Sequence, residues 1–385
     1  MIPYGRQHIT DEDIQAVVEV LKSDYLTQGP MVPSFEKAIC DFTGAKYAVA
    51  VNSGTSALHL ACIALDLKEG DWLWTTPNTF VASANCGLYC GAMVDFVDID
   101  PDSWNISITS LEVKLQTAKK QDRLPKIIVP VHLCGLSCDM EAIYELSQKY
   151  GFYIIEDASH AIGGKYNDEY IGGCRYSDIT VFSFHPVKVM TTGEGGMAAT
   201  NNPGLSSKMC LLRSHGITRE PELMTTEPDG PWSYQQLVLG FNYRMTDIQA
   251  ALGISQLKRL DDFIRLRHEI AIMYDNRLSS LPVQRQYQST DKYSSMHLYV
   301  IRLKLEKIKR SHKQVFEFLR EQGIGVNLHY IPVHTQPYYQ EMGYKIGDFP
   351  VAEQYYQEAI SLPIFYAMHQ DQIDDVVFAL EKALR

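Results

Sequence analysis

Short apolar runs recur along the first two-thirds of the chain, and most of them are separated by amphipathic segments with helical spacing. Such alternation predicts an α/β fold, in which a mostly parallel seven-stranded sheet is flanked by helices. The predicted strands are Tyr47–Val51, Trp72–Thr76, Val94–Asp98, Ile127–His132, Phe152–Glu156, Ile179–Phe184 and Met197–Thr200. Because sheets of this kind bind ligands beyond the carboxyl ends of their strands, the residues after each run are candidates for chemistry.

The pattern changes after the seventh run and indicates a second domain. The clearest helices are predicted at Asp11–Ser23, Thr55–Leu65, Leu136–Tyr150 and Thr246–Leu260. Beyond them, Met296–Leu303 and Val326–His329 are typical of strands, and His312–Gln322 and Asp371–Leu384 are typical of helices. We therefore expect a large domain over residues 1–260, including an N-terminal arm, and a small α+β domain over residues 261–385.

Composition narrows the class of protein. The chain has 385 residues, 45% of them hydrophobic, which is enough to bury two cores. Its formal net charge of −11 disfavours nucleic acid as a partner. No apolar run approaches the ~20 residues of a membrane span, and the opening MIPYGRQHIT lacks the features of a signal peptide. We expect a cytoplasmic protein.

The eight cysteines do not form a metal-binding pattern. Two pairs, Cys86 with Cys90 and Cys134 with Cys138, have a spacing of four, but no C-x-x-C knuckle or neighbouring histidine pair accompanies them. The sequence therefore predicts no metal site and reduced thiols that pack as small hydrophobic side chains.

Two chemical groups follow successive predicted strands. In FYIIEDASHA, Asp157 ends a buried run, although an aspartate before small residues also suits a helix N-cap. In TVFSFHPVKVMTTGEGG, Lys188 lies in an apolar turn, where burial would lower its pKa and free the amine for a Schiff base; a surface loop lysine is the alternative. Together, a carboxylate that keeps a pyridine nitrogen protonated and a lysine that binds an aldehyde favour pyridoxal phosphate (PLP) chemistry.

Two further segments can form the bed of such a cofactor. VNSGTSAL is a strand that turns into a helix, where free amides and the hydroxyl of Thr55 can hold a phosphate, unless this is an ordinary turn. Phe80, in TTPNTFVASAN, follows another strand and can stack on a ring or pack in the core.

Taken together, NSGTSAL, EDASHA, SFHPVK with GEGG, and GFNYRMTDIQAALG resemble the DegT-type sugar aminotransferase family of fold-type I PLP enzymes, over nearly the whole chain. The resemblance implies PLP as cofactor, with Lys188 and Asp157 as its catalytic residues. It also implies a homodimer with shared active sites. The remaining cofactor contacts that it implies are His160 at the phenolic oxygen, Phe80 against the ring, Gly54, Thr55 and Ser183 at the phosphate, and Asn242 at the phosphate of the partner subunit's cofactor.

The opening IPYGRQHITDEDIQAVVEVLKSDYLTQGP, with RSHGIT and NLHYIPVH, is similar to the subgroup that acts in pseudaminic acid biosynthesis. This similarity implies L-glutamate as amine donor and a UDP-linked 4-keto sugar as acceptor. The sugar-nucleotide contacts that it implies are Tyr4, Tyr25, Leu26, Thr27, Thr55, Ser183, Asn242, Asn327, His329 and Tyr330. Simple packing of the arm is the alternative for Tyr4 and Tyr25. Arg6, Arg213 and Arg244 are all candidates for binding the glutamate carboxylate.

Other functions compete with this interpretation. A nucleotide-sugar aminotransferase for another 4-keto sugar, or for C3, would share the same motifs. A nicotinamide-dependent oxidoreductase is disfavoured because no G-x-G-x-x-G follows the first strand. A PLP-binding regulator is disfavoured because neither a DNA-binding module nor a basic patch is present in the sequence.

Overall fold

The computed structural model describes residues 1–385, and a seven-stranded sheet lies at its centre. Its strands are β1 (Tyr47–Val51), β2 (Trp72–Thr75), β3 (Met93–Phe96), β4 (Ile127–Val129), β5 (Tyr153–Asp157), β6 (Ile179–Ser183) and β7 (Gly196–Thr200). They are ordered β1-β7-β6-β5-β4-β2-β3, and only β7 runs antiparallel to its neighbours. The predicted α/β fold class is therefore confirmed.

Helices cover the sheet and continue into the C-terminal part. They are α1 (Asp11–Leu21), α2 (Met31–Thr43), α3 (Gly54–Ala64), α4 (Ala82–Tyr89), α5 (Ile108–Lys120), α6 (Met140–Tyr150), α7 (Pro203–Leu212), α8 (Asp247–Leu257), α9 (Leu260–Leu278), α10 (His312–Glu321), α11 (Pro337–Glu341), α12 (Pro350–Glu358) and α13 (Gln370–Ala383). Strand β7, with the sequence GMAAT, is buried along its whole length. Its small side chains allow α3 to pack closely against the sheet.

Two predicted helix boundaries were wrong. Helix α6 begins at Met140 and not near Leu136, because the Asp139 side chain caps it by accepting a hydrogen bond from the Ala142 amide at 3.3 Å. The predicted helix through Leu260 ends at Leu257, and α9 starts separately after Arg259. The Arg259 guanidinium is drawn into an ion pair with the buried carboxylate of Asp13 at this break.

The C-terminal part has its own antiparallel sheet, formed by β8 (Val283–Arg285), β9 (Tyr299–Leu303) and β10 (Ala359–Leu362). A separate apolar core, which includes Tyr274, Ile301 and Leu380, lies behind it. The predicted strand Val326–His329 was wrong, because Asn327 makes only an isolated bridge to Ser361. The small α+β unit is present, whereas a boundary at residue 260 stays a prediction.

The N-terminus is fixed to this C-terminal part. Residues Ile2–Pro3 pair in parallel with Ile324–Gly325, and the Tyr4 carbonyl accepts a hydrogen bond from the Ile364 amide at 3.0 Å. The arm therefore holds Tyr4 where its side chain faces a cavity shared by the large sheet and the C-terminal part. None of the helices combines the length and apolar composition needed to cross a membrane.

Candidate active site

A cavity of about 770 Å³ opens at the carboxyl ends of the parallel strands, where the large sheet meets the C-terminal part. Ten of the predicted site residues line it: Tyr4, Gly54, Thr55, Phe80, Asp157, His160, Ser183, Lys188, His329 and Tyr330. They come from six separate stretches of the sequence. The fold therefore joins the predicted cofactor motifs in a single cavity.

Asp157 is the last residue of β5, and its side chain is held in place by two neighbours. The Ser83 hydroxyl of α4 donates to Oδ2 at 2.6 Å, and the Ser159 amide donates to Oδ1 at 3.1 Å. Ser83 is itself 2.8 Å from the Thr79 hydroxyl. A buried carboxylate with two donors is oriented before any ligand arrives.

Lys188 lies in the turn between β6 and β7 and points into the same cavity. Burial lowers the pKa of Lys188 to about 8, and the Asp157 carboxylate offsets only part of that effect. About a tenth of the amine is thus neutral at pH 7, far more than for a lysine of ordinary pKa. This is the property that a Schiff-base lysine requires.

The start of α3 forms a concave polar corner beside these groups. The Ser53 side chain caps the helix by accepting a hydrogen bond from the Ser56 amide. The amides of Gly54 and Thr55 precede the first intrahelical hydrogen bond. A Cβ atom on Gly54 would lie 2.9 Å from the Ser183 side chain, so glycine is needed where the helix approaches β6. Such an amide-rich helix start suits a phosphate group.

His160 and the C-terminal segment close the other side of the cavity. His160 Nε2 is 3.0 Å from the Tyr330 hydroxyl. Burial lowers the pKa of His160, and the charges of Lys188 and His329 lower it further. Burial and then Lys188 lower the pKa of His329 to about 4. Both imidazoles are therefore neutral at pH 7, and each has one donor and one acceptor nitrogen.

Five predicted substrate or cofactor residues do not line the cavity, namely Tyr25, Leu26, Thr27, Asn242 and Asn327. Tyr25, Leu26 and Thr27 are exposed next to α8, where Thr27 bridges Thr246. Asn242 is exposed as well, although its carbonyl oxygen is 3.5 Å from the side-chain nitrogen of Asn52, which does line the cavity.

Asn327 occupies a supporting position behind the cavity wall. Its side-chain amide nitrogen is 3.4 Å from His329 Nε2, and its backbone forms an isolated bridge with Ser361. Asn327 therefore helps to orient His329, which faces the cavity.

The three arginines that were candidates for binding the glutamate carboxylate do not line the cavity either. Arg213 forms an ion pair with Glu36 and donates to the Ala50 carbonyl at 2.8 Å, so its guanidinium is already engaged behind the sheet. Arg244 donates to the Ser214 hydroxyl at 3.2 Å, and Arg6 is exposed. None of the three is presented to the cavity by this chain alone.

Several lining residues were missed by the sequence interpretation. Ser159 falls within the EDASHA motif, and its position two residues after Asp157 was a usable signal. His185 and Glu194 flank Lys188 in sequence, and their side chains approach to 4.0 Å. Gln249 lines the cavity and donates to the Glu194 carbonyl at 2.8 Å, a contact that no local pattern indicates.

The residues present fit a PLP molecule. The cavity offers a helix start for the phosphate, a strand-end carboxylate for the pyridine nitrogen and a lysine of lowered pKa for the aldehyde. Phe80 is 58% exposed at the cavity edge, where its ring face is free to cover a flat ligand.

Comparisons with known proteins agree with this chemistry. The DegT/DnrJ/EryC1/StrS aminotransferase family matches residues 7–381. The UDP-4-amino-4,6-dideoxy-N-acetyl-beta-L-altrosamine transaminase of Campylobacter jejuni is 38% identical, over 99% of this chain and 97% of that protein.

Two solved structures are similar over the whole fold. Helicobacter pylori PseC, an aminotransferase involved in the biosynthesis of pseudoaminic acid, has a TM-score of 0.90 and 32% identity, covering 100% of this chain and 99% of that one. Spr1654 from Streptococcus pneumoniae, solved in its PLP form, has a TM-score of 0.89 and 27% identity, covering 100% of both chains.

Proposed function

Because the chain belongs to the DegT/DnrJ/EryC1/StrS aminotransferase family of PLP-dependent sugar aminotransferases, we propose a specific reaction for it. The enzyme moves the amino group of L-glutamate to C4 of a UDP-linked 4-keto-6-deoxy-N-acetylhexosamine. The product is UDP-4-amino-4,6-dideoxy-N-acetyl-β-L-altrosamine, a precursor of pseudaminic acid. The similarity to the Campylobacter jejuni transaminase and to PseC supports this choice of sugar. The observation that carries the chemistry is the meeting of Lys188 and Asp157 in one cavity.

PLP, when bound, supplies an electron-withdrawing ring that stabilises negative charge at the substrate carbon. In this proposal Asp157, oriented by Ser83 and Ser159, keeps the pyridine nitrogen protonated. Lys188 holds the cofactor and then carries the proton at the reacting carbon. Its pKa of about 8 suits both tasks, since the amine can accept and release a proton near neutral pH.

The other cavity residues position the ligands. We assign the cofactor phosphate to the amides of Gly54 and Thr55 and to Ser183, the ring face to Phe80, and the phenolic oxygen to neutral His160. Tyr4, His329 and Tyr330, which line the opposite side, are assigned to the sugar. Their hydroxyl and imidazole groups suit a polar ligand that carries several hydroxyls.

The residues that this chain leaves outside the cavity support a shared site. We propose a homodimer in which Asn242 reaches the phosphate of the partner subunit's cofactor and Tyr25–Thr27 complete the sugar-nucleotide site. All four residues are exposed in the single chain, as a dimer surface requires. No arginine lines the cavity of one chain, so we propose that the glutamate carboxylate is bound by a group at the shared site.

The sugar is tested by a substrate panel. Purified enzyme with PLP is incubated with L-glutamate and a set of UDP- and dTDP-linked 3-keto and 4-keto sugars, and the product configuration is read by NMR. We expect the UDP-linked 4-keto sugar to give the altro product with the highest kcat/KM. Preference for a different sugar would contradict the specific reaction while leaving the family assignment intact.

A further inference from the structure

The N-terminal arm, residues 1–10, is attached to the rest of the chain at two points. The first is the pairing of Ile2–Pro3 with the C-terminal part, together with the hydrogen bond that the Tyr4 carbonyl accepts from Ile364. The second is His8. The intervening residues 5–7 make no backbone hydrogen bond. Tyr4 therefore stands at the start of a stretch that is fastened only at its two ends.

This stretch runs beside the turn that carries Lys188. A Cβ atom on Gly5 would lie 3.9 Å from the Val187 carbonyl oxygen, and Val187 and Lys188 both line the cavity. Tyr4 lines it as well, with its ring centroid 5.3 Å from that of His329. A shift of the arm would thus change the position of Tyr4 relative to the reactive lysine.

His8 is fastened at the break between α8 and α9. Its carbonyl accepts a hydrogen bond from the Gln256 side-chain amide at 2.9 Å, and its Nδ1 is 2.9 Å from the Arg259 guanidinium. Both of these side chains also donate to the buried carboxylate of Asp13, Gln256 at 2.8 Å and Arg259 through its second terminal nitrogen. Asp13 therefore fixes the direction in which the two donors meet His8.

The contact with Arg259 requires a neutral imidazole. A guanidinium offers only donors, so His8 Nδ1 is the acceptor and the ring proton is on Nε2. The ring packs on Tyr366 with centroids 4.4 Å apart and on Phe263 at 6.4 Å. A protonated His8 would present two donors beside a guanidinium and lose this hydrogen bond.

The groups around His8 favour the neutral form. The titratable side chains that face it are Arg259 at the start of α9, Asp13 of α1 and Tyr366. Burial and the Arg259 charge lower the pKa of His8, and Asp13 offsets part of this effect. The arm is therefore fastened at neutral pH and loosened as the pH falls below the ordinary histidine range.

We propose that His8 is a positioning residue for the acceptor sugar, because its hydrogen bond with Arg259 holds the arm in the course that keeps Tyr4 at the cavity. This inference rests on the proposed function, in which Tyr4 contacts the sugar nucleotide. Glutamate is the smaller substrate and is assigned no contact with Tyr4. A released arm thus weakens binding of the sugar and leaves the reaction with glutamate unchanged.

The first test reads the arm directly and needs no substrate. Arg6 is exposed within the unbonded stretch, so trypsin cleavage after Arg6 in the PLP-loaded enzyme at pH 8 reports release of the arm. We expect His8→Ala to be cleaved about fivefold faster than wild type, the effect of losing roughly one hydrogen bond. His8→Asn should be cleaved more slowly than His8→Ala, since asparagine Oδ1 takes the place of Nδ1 as an acceptor.

His369→Asn is the control, because His369 is exposed at the start of α13 and the substitution should leave cleavage at the wild-type rate. Equal cleavage of wild type and His8→Ala, or of His8→Ala and His8→Asn, would overturn the proposal whatever sugar the enzyme uses.

The second test compares the KM for the best sugar of the substrate panel in wild type and in His8→Asn, which cannot be protonated at this position. Titration of other groups affects both proteins and cancels in the ratio of the two KM values. We expect this ratio to rise about threefold from pH 7.5 to pH 5.5, because only wild-type His8 loses its hydrogen bond. The ratio of the rates of the glutamate half-reaction, followed by absorbance, should stay constant.

A KM ratio that does not change with pH would refute the positioning role. An equal change in both half-reactions would also refute it, since a general loosening of the fold affects both substrates. If the panel shows a sugar other than the UDP-linked 4-keto sugar, the proposed reaction fails, while the trypsin result and the two ratios still decide the role of His8.

Discussion

The inner wall of the cavity, formed by Asp157, His160, Ser183 and Lys188, differs from the outer surface formed by Tyr25, Leu26, Thr27 and Asn242. The inner-wall side chains converge within one chain and are held there by neighbours, as Ser83 and Ser159 hold Asp157. The outer-surface side chains are exposed and do not reach the cavity.

The difference follows from how each region is positioned. The inner wall is built at the ends of β5 and β6 and in the turn that follows, and these are adjacent in the sheet. On the outer surface the backbone is fixed, since the Leu26 carbonyl accepts a hydrogen bond from the Asp247 amide at 3.0 Å. The side chains of this surface, however, do not face the cavity of their own chain. A single chain therefore contains the residues of the proposed catalytic chemistry, whereas the residues proposed to complete the substrate site lie on its surface.

The largest expected effect is on the inner wall. Lys188→Ala should reduce amine transfer by about 10³-fold or more, because it removes both the covalent attachment of the cofactor and the proton carrier. The measurement is the initial rate of 2-oxoglutarate formation with saturating PLP. Lys313→Ala is the matched control, since the Lys313 side chain is 83% exposed on α10 and should leave the rate unchanged. Sustained turnover by Lys188→Ala would contradict the assignment.

A smaller effect should appear when pH is varied. In PLP-free enzyme, burial holds the pKa of Lys188 at about 8, so the amine is charged and unreactive below that pH and neutral above it. The rate of Schiff-base formation with added PLP should therefore rise about 50-fold from pH 6 to pH 8, as the neutral fraction grows from ~1% to about half.

Stopped-flow absorbance in the visible region would follow this reaction, with Lys188→Ala as the background. A rate that keeps rising steeply up to pH 10 would indicate an ordinary, solvated lysine. The inner wall would then lack the electrostatic property on which its assignment rests.

The inner wall was largely predictable, because its residues follow apolar runs that the sheet order brings together. The EDASHA and SFHPVK motifs each carry a strand and its functional residue in one short stretch. Ser83 could not be predicted in the same way, since its contact with Asp157 depends on how α4 packs against the sheet. Gln249 was missed for a similar reason, as its position depends on α8 meeting the loop at Glu194.

Helix boundaries show the limit of periodicity. Leu136 is apolar and fits the pattern of α6, yet the Asp139 cap starts the helix later. Similarly, the break between α8 and α9 is marked by no proline or glycine; it coincides with the ion pair between Arg259 and Asp13, which are far apart in sequence. Side-chain caps and ion pairs of this kind override the helix propensity of the local sequence.

The smallest expected effect addresses the outer surface. Asn242→Ala should lower kcat/KM about tenfold, the cost of roughly one hydrogen bond to a charged phosphate. In the proposed homodimer this loss occurs at the partner subunit's cofactor. Mixing Asn242→Ala with Lys188→Ala and allowing subunits to exchange should then create hybrid dimers with one intact site, because one chain supplies Lys188 and the other supplies Asn242.

The mixture should therefore exceed the summed activities of the two separate variants, measured at the same total protein concentration. Mixing Lys188→Ala with Asp157→Asn is the control. Lys188 and Asp157 line the cavity of the same chain, so each of the two sites in a hybrid dimer keeps one defect. If Asn242 acted only within its own chain, its mixture would show no gain either. The comparison thus separates a surface that completes the partner's site from one that supports its own.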